Sequence, residues 1–192
     1  DLLGSQLMLA LSELAPGLKV VGIGGPRMQA AGMDVWYPLE KLAVRGYFEV
    51  IRHLPEIIGI RRGLRRRLLA DPPDLFIGVD APDFNLDLEQ DLKARGIPTV
   101  HYVSPAIWMW RKERLRKIKR AVDKMLTLFP FEVDIYRAAG IDAVFVGHPL
   151  ADMLDELPRG AAAREPLKIP PAAPVVALLP GSRQSELDYM AD

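Results

Sequence analysis

No cysteine occurs in the 192 residues, which excludes disulfides, a thiol nucleophile and thiolate metal sites and suits a reducing compartment. Histidine is almost as scarce: His53, His101 and His148 are scattered and lack the spacing of a metal site, so neither a metal nor any other cofactor is expected. Neither sign of charge prevails. The 25 Lys and Arg balance 25 Asp and Glu, so no global field draws the chain to nucleic acid or to a membrane, and any such attraction must be local. No apolar run approaches the roughly 20 residues that span a bilayer, and none reads as a signal peptide; a soluble, cytoplasmic protein is expected. A Walker lysine loop is also lacking, and the one stretch like a dinucleotide loop, Gly22-Ile23-Gly24-Gly25-Pro26-Arg27, has Arg27 where the third glycine belongs and Pro26 where an amide is needed.

What is present is a chain half hydrophobic and long enough for one full core with residues left over, since domains usually run to about 100–150 residues. Helical and strand-like stretches alternate. Leu3, Leu7, Leu11 and Leu14 share a helical stripe behind Asp1, a suitable N-cap, so the chain opens on a helix. Strands are expected at 19–23, 75–79, 99–103, 124–128 and 143–146, with helices at 27–31, 84–95, 114–122 and 131–139. The Pro- and Ala-rich stretch 155–174 reads as a linker, and Val175 to Leu179 as a strand followed by a turn and a helix. The expected fold is α/β: a doubly wound, Rossmann-like parallel sheet over 1–154, a linker at 155–173, and the first βα unit of a second domain at 174–192. Both ends read as cut, as in a fragment.

In an open parallel sheet, groups just past the strand C-termini line the ligand crevice. Asp80 and Asp83 follow the strand at 75–79, and Ser104, Trp108, Trp110 and Arg111 follow the strand at 99–103. Asp80 is the favoured general base because the sheet holds it, while Asp83 lies further round the turn; either could instead cap the helix that begins near Phe84. His148, at a strand end before Pro149, is either a catalytic group or a structural histidine, whereas His101 inside its strand reads as core. The turn Pro180-Gly181-Ser182-Arg183 joins a helix N-terminus to a hydroxyl and a guanidinium; it is an anion site or a helix capped by Ser182. The tryptophans could stack on a sugar or acyl chain, or simply pack.

The segments FIGVDAPDFN, HYVSPAIWMWR, LFPFE, VGHPLAD and LLPGSR, in this order along the chain, resemble the bacterial lipid-A-disaccharide synthases, two-domain inverting glycosyltransferases of GT-B architecture. The resemblance implies transfer of 2,3-diacylglucosamine from its UDP form to 2,3-diacylglucosamine 1-phosphate, giving a β-1,6-linked disaccharide and UDP. It implies that Asp80, Asp83 and His148 are catalytic, and that Asp1, Ser104, Trp108, Arg111, Ser182 and Arg183 meet substrate or phosphate. Asp1 would close the family's Gly-Glu-Ala-Ser-Gly-Asp loop. The glutamate of that loop and most of the second domain would then lie outside this sequence, and the fragment alone should be inactive.

From Tyr47 to Leu69, apolar residues are interleaved with arginines. Phe48, Ile51, Leu54 and Ile58, with Arg61, Arg62 and Arg65, suit a membrane interface, while a core helix with a solvated basic face fits the pattern equally. An acyl-chain substrate favours the membrane. The expected place is therefore the cytoplasmic face of the inner membrane, peripherally bound, without nucleic acid as a partner; a homodimer is compatible with this. The alternatives are another GT-B enzyme, such as a UDP-sugar 2-epimerase or a lipid glycosyltransferase, and a non-enzymatic basic surface-binding module built on the run from Arg111 to Arg120.

Overall fold

Short apolar and β-branched runs become strands where a neighbouring run satisfies their backbone, and six do so among the described residues. The computed structural model describes residues 1–42, 47–107, 114–179, 187 and 190, with side chains described except at 47–52, 155 and 156. β1 (Val21–Gly24) and β2 (Asp34–Pro38) form one parallel sheet. β3 (Phe76–Val79), β4 (Thr99–Tyr102), β5 (Lys124–Thr127) and β6 (Asp142–Phe145) form a second, all parallel and in chain order. This is the expected α/β architecture with parallel sheets.

The helices with described bounds are α1 (Leu2–Leu14), α2 (Pro26–Ala30), α3 (Tyr47–Ala70), α4 (Pro82–Lys93), α5 (Arg114–Ala121), α6 (Pro130–Ala138), α7 (Pro149–Glu156) and α8 (Ala161–Arg164), besides a 3-10 turn at Leu39–Lys41. Gly96 (φ +82°) and Gly140 (φ +70°) turn the chain out of α4 and α6 in a left-handed conformation that costs an L side chain energy.

α4 organises the core because apolar side chains leave it on two sides. Leu86 joins Ile107, Ile118, Met125 and Tyr136; Phe84, Leu88 and Leu92 join Ile60, Leu64 and Leu68 of α3. Leu92 is wholly buried, a placement that contributes about 1.5–3 kcal/mol for a side chain of its size. Acidic residues fasten the rim of this helix to its neighbours: Asp87 to Arg61 (2.8 Å) and Lys117 (2.6 Å), and Asp91 to Arg65 (2.8 Å). Burial works against the charge on Asp87, but Lys117 and Arg61 together hold its carboxyl below the usual range.

Three local expectations differ from the structure. In α1 the buried residues are Gly4, Ser5 and Met8, and Leu14 is 82% exposed, because α2 approaches so closely that a Cβ on Gly4 would lie 2.7 Å from Met28 Sδ. β2, which the pattern did not announce, is a Pro-ended strand with no fully buried residue. Val175 to Leu179 form no strand: none among the described residues pairs with them, and Val176, Leu178 and Leu179 are 83–85% exposed. The chain divides into two units, 1–151 and 152–192. Within the second, Arg164 donates to the carbonyls of Pro170 and Ala173, both at 2.9 Å, and so ties down the Pro-rich stretch.

Candidate functional site

The C-terminal ends of β3 to β6 share one edge, because the ladder continues past each strand: Asp80 N donates to Tyr102 O, Val103 N to Leu126 O and Val146 N to Thr127 O. Asp80, Ser104, Phe129 and Val146 therefore stand along the same rim, in strand order. Three non-glycine residues there hold positive φ: Asp80 (+54°), Ala81 (+44°) and the β-branched Val103 (+82°). Each such residue costs on the order of 1–3 kcal/mol, and strain of this kind gathers at functional sites.

What holds the Asp80–Ala81 turn is visible. Phe84 N and Asn85 N both donate to Ala81 O at 3.0 Å, and Asn85 Nδ2 donates to Asp80 O at 2.8 Å. The turn lifts Asp80 into solvent at the strand end, where its carboxylate has no hydrogen-bond or ion-pair partner among the described residues. Asp83 differs. It lies in the first turn of α4, where a carboxylate suits the helix dipole, and pairs with Arg114 at 2.8 Å.

Ser104 shares a 2.9 Å hydrogen bond with the buried Tyr136 hydroxyl and donates to Pro105 O. Burial pushes the Tyr136 phenol up to about 12, against the Ser104 bond and with the charge of Glu132 adding to the rise, so this phenol stays protonated. His148 accepts a hydrogen bond at Nδ1 from Leu150 N (3.1 Å) and thereby caps α7. Asp1 precedes α1 but does not cap it through its side chain; its carboxylate instead accepts from Arg27 N (3.1 Å) and Met28 N (3.2 Å), closing the first turn of α2.

Of the residues expected to meet a membrane, Leu54 is exposed and Ile58 half-buried; other residues of the same helix, Ile60, Leu64 and Leu68, are core. Arg61 and Arg65 turn to α4, Arg67 stacks on Trp36 (3.9 Å to the ring centroid), and Arg62 and Arg66 are exposed. No helix among the described residues is long and apolar enough to cross a membrane. Phe48 and Ile51 have their side chains outside the described residues, and Trp108, Trp110, Arg111, Ser182 and Arg183 lie outside them altogether. Among the described residues no group of His, Asp or Glu is placed to hold a metal ion.

Sequence reasoning missed Glu89. It is wholly buried on α4 and hydrogen-bonded to the equally buried His101 Nδ1 at 2.7 Å. Burial raises its carboxyl above the usual range, opposed by the His101 bond and charge. Its polar neighbours Asp87, Gln90 and Asp91 disguise it as solvent-facing; the glycine at 78, which leaves room for it on β3, is the one signal that could have exposed it.

A profile of the lipid-A-disaccharide synthetase family matches residues 1–192. The chain is 57% identical over 192 residues to a lipid-A-disaccharide synthase of Methylobacillus flagellatus, covering all of this chain and 51% of that protein. It is 56% identical over 190 residues to one of Chromobacterium violaceum (99% of this chain, 49% of that protein) and 55% over 191 residues to one of Burkholderia thailandensis, with the same coverage. The chain thus spans about half the length of these relatives.

Proposed function

The chain belongs to the lipid-A-disaccharide synthetase family, and from that premise we propose that the full-length protein transfers 2,3-diacylglucosamine from its UDP form to 2,3-diacylglucosamine 1-phosphate, with Asp80 as general base. The relatives' name is the warrant for the product, a lipid A disaccharide. In the step proposed, Asp80 takes the proton of the acceptor's 6-hydroxyl as that oxygen attacks the donor's anomeric carbon. The bond to the diphosphate breaks, UDP leaves with the electron pair, and inversion gives the β-1,6 linkage.

The observation that carries this assignment is the exposed carboxylate of Asp80, without a partner among the described residues, on a strained strand end. Among the described residues, Asp83 pairs with Arg114 and His148 Nδ1 accepts the Leu150 amide, whereas Asp80 keeps its carboxylate open to a proton. Ser182 and Arg183 are proposed to meet the donor's diphosphate, and Trp108 and Arg111 the acceptor, on the motif resemblance alone. We further propose domain limits of 1–154 and 174–192 around a linker, and peripheral attachment to the inner membrane through the outer face of α3, supported by exposed Leu54, Arg62 and Arg66.

Incubating the full-length protein with both diacylated sugars tests the proposal. Formation of UDP in equal amount with a disaccharide whose anomeric proton coupling is that of a β linkage is expected. UDP release without disaccharide, or an α linkage, would refute it and favour another GT-B chemistry.

A further inference from the structure

Beneath the rim that carries Asp80, two ionisable side chains are sealed together. Glu89 of α4 and His101 of β4 are each 0% exposed and 2.7 Å apart, and their remaining polar atoms, Glu89 Oε2 and His101 Nε2, have no hydrogen-bond partner among the described residues. Burying such a pair is costly, and apolar residues of similar volume would be no less stable. The pair occupies a prepared space: Gly78 of β3 is the register partner of His101, and a Cβ on it would overlap Glu89 Oε1. A carboxylate from α4 can reach across β3 to β4 only because position 78 has no side chain.

The strained residues lie directly past this crossing. Asp80 follows Gly78 by two positions, Val103 follows His101 by two, and α4 begins immediately after Ala81. Any sliding of α4 along the sheet would have to be absorbed in the Asp80–Ala81 turn, whose backbone bonds all run to α4 or β4. The Glu89–His101 bond is a fixed point against that motion.

We propose that Glu89 and His101 are positioning residues, locking α4 to β3 and β4 so that the Asp80–Ala81 turn keeps the carboxylate aimed at the acceptor hydroxyl. This rests on Asp80 being the base. A displacement of the order of 1 Å at a reacting group can cost up to about 100-fold in rate.

The test uses the full-length enzyme. Glu89→Leu, which keeps volume and removes the bond, should lower kcat by about 10- to 100-fold with KM for both sugars within twofold and an intact circular-dichroism spectrum. Glu89→Gln, which can still bond His101, should restore kcat to within threefold. In an Asp80→Asn background, Glu89→Leu should cause no further loss, since residues acting through one group are not additive. Parental kcat in folded Glu89→Leu, or an additive loss in the double variant, would overturn the proposal while leaving the base assignment standing. Near-parental activity of Asp80→Asn would instead remove the base assignment itself. Should Glu89→Leu fail to fold, Glu89→Asp, which withdraws the carboxylate by one methylene, must show the same kcat-only loss; parental kcat there overturns the proposal equally.

Discussion

Two glycine-to-alanine substitutions should move stability in opposite directions. At Gly78 a new Cβ would overlap Glu89 Oε1 and lie 3.1 Å from both Asn85 Cβ and Glu89 Cδ. Either the carboxylate leaves His101 or β3 shifts away from α4. The first leaves a buried polar group unpaired, at about 1–3 kcal/mol; the second incurs overpacking strain of about 1–3 kcal/mol. Since melting temperature moves roughly 2–4 °C per kcal/mol in a chain of this size, Gly78→Ala should lower it by about 2–12 °C. Gly59 is the control. It sits on the exposed side of α3 with nothing among the described residues within 4 Å of where a Cβ would lie, so alanine there should stabilise by about 0.5–1 kcal/mol through helix propensity alone. Thermal melts and urea titrations of the two variants beside the parent read both effects. A Gly78→Ala protein within about 0.5 kcal/mol of the parent, the range of ordinary surface changes, would mean that Glu89 does not occupy the space opposite that glycine.

Asp1→Ala should loosen α2 by about 1 kcal/mol, because it removes the acceptors for the Arg27 and Met28 amides; urea titration measures this, and Asp1→Asn, which keeps one of the two acceptor oxygens, should recover only part of it. Stability as a function of pH should report Glu89. Its folded-state carboxyl is raised above the ordinary 4.5, so between that value and the raised one the native state binds a proton the unfolded chain has lost, and stability falls as pH rises. Glu89→Gln should therefore gain on the parent from about pH 4.5 upward; equal curves from pH 4 to 7 would contradict the shift. On anionic vesicles, Leu54→Ser with Ile58→Ser should weaken binding of the full-length enzyme at any salt, and Arg62→Gln with Arg66→Gln mainly at low salt. Leu64→Ser, by contrast, should unfold the α3–α4 core, and cosedimentation with melts separates the two effects.

β3 to β6 were legible because each is an apolar or β-branched run bounded by Pro, Gly or charge and satisfied by a neighbour of the same kind. β2 escaped because Asp34-Val35-Trp36-Tyr37-Pro38 is only partly buried and, among the described strands, pairs with β1 alone. Val175 to Leu179 carry the strongest strand signal of the C-terminal stretch and make no strand, since propensity without a pairing partner leaves the backbone unsatisfied. In the candidate site, Asp80 could be placed from its position past an apolar run, but not the left-handed turn that distinguishes it from Asp83. Asp1 bonding α2 across 26 residues, Arg61 and Arg65 turning to α4, and Glu89 meeting His101 are long-range pairings, for which local spacing holds no signal. His101 as a core histidine was readable from its place inside a strand; its partner was not.

The most direct measurement is the turnover of full-length Asp80→Asn, an isosteric change that removes the proton acceptor and leaves the turn's backbone bonds in place. General-base catalysis contributes about 10²–10⁴-fold, so kcat should fall by that factor with an unchanged melting temperature and substrate affinity. Turnover within threefold of the parent would contradict the assignment of Asp80 as the base.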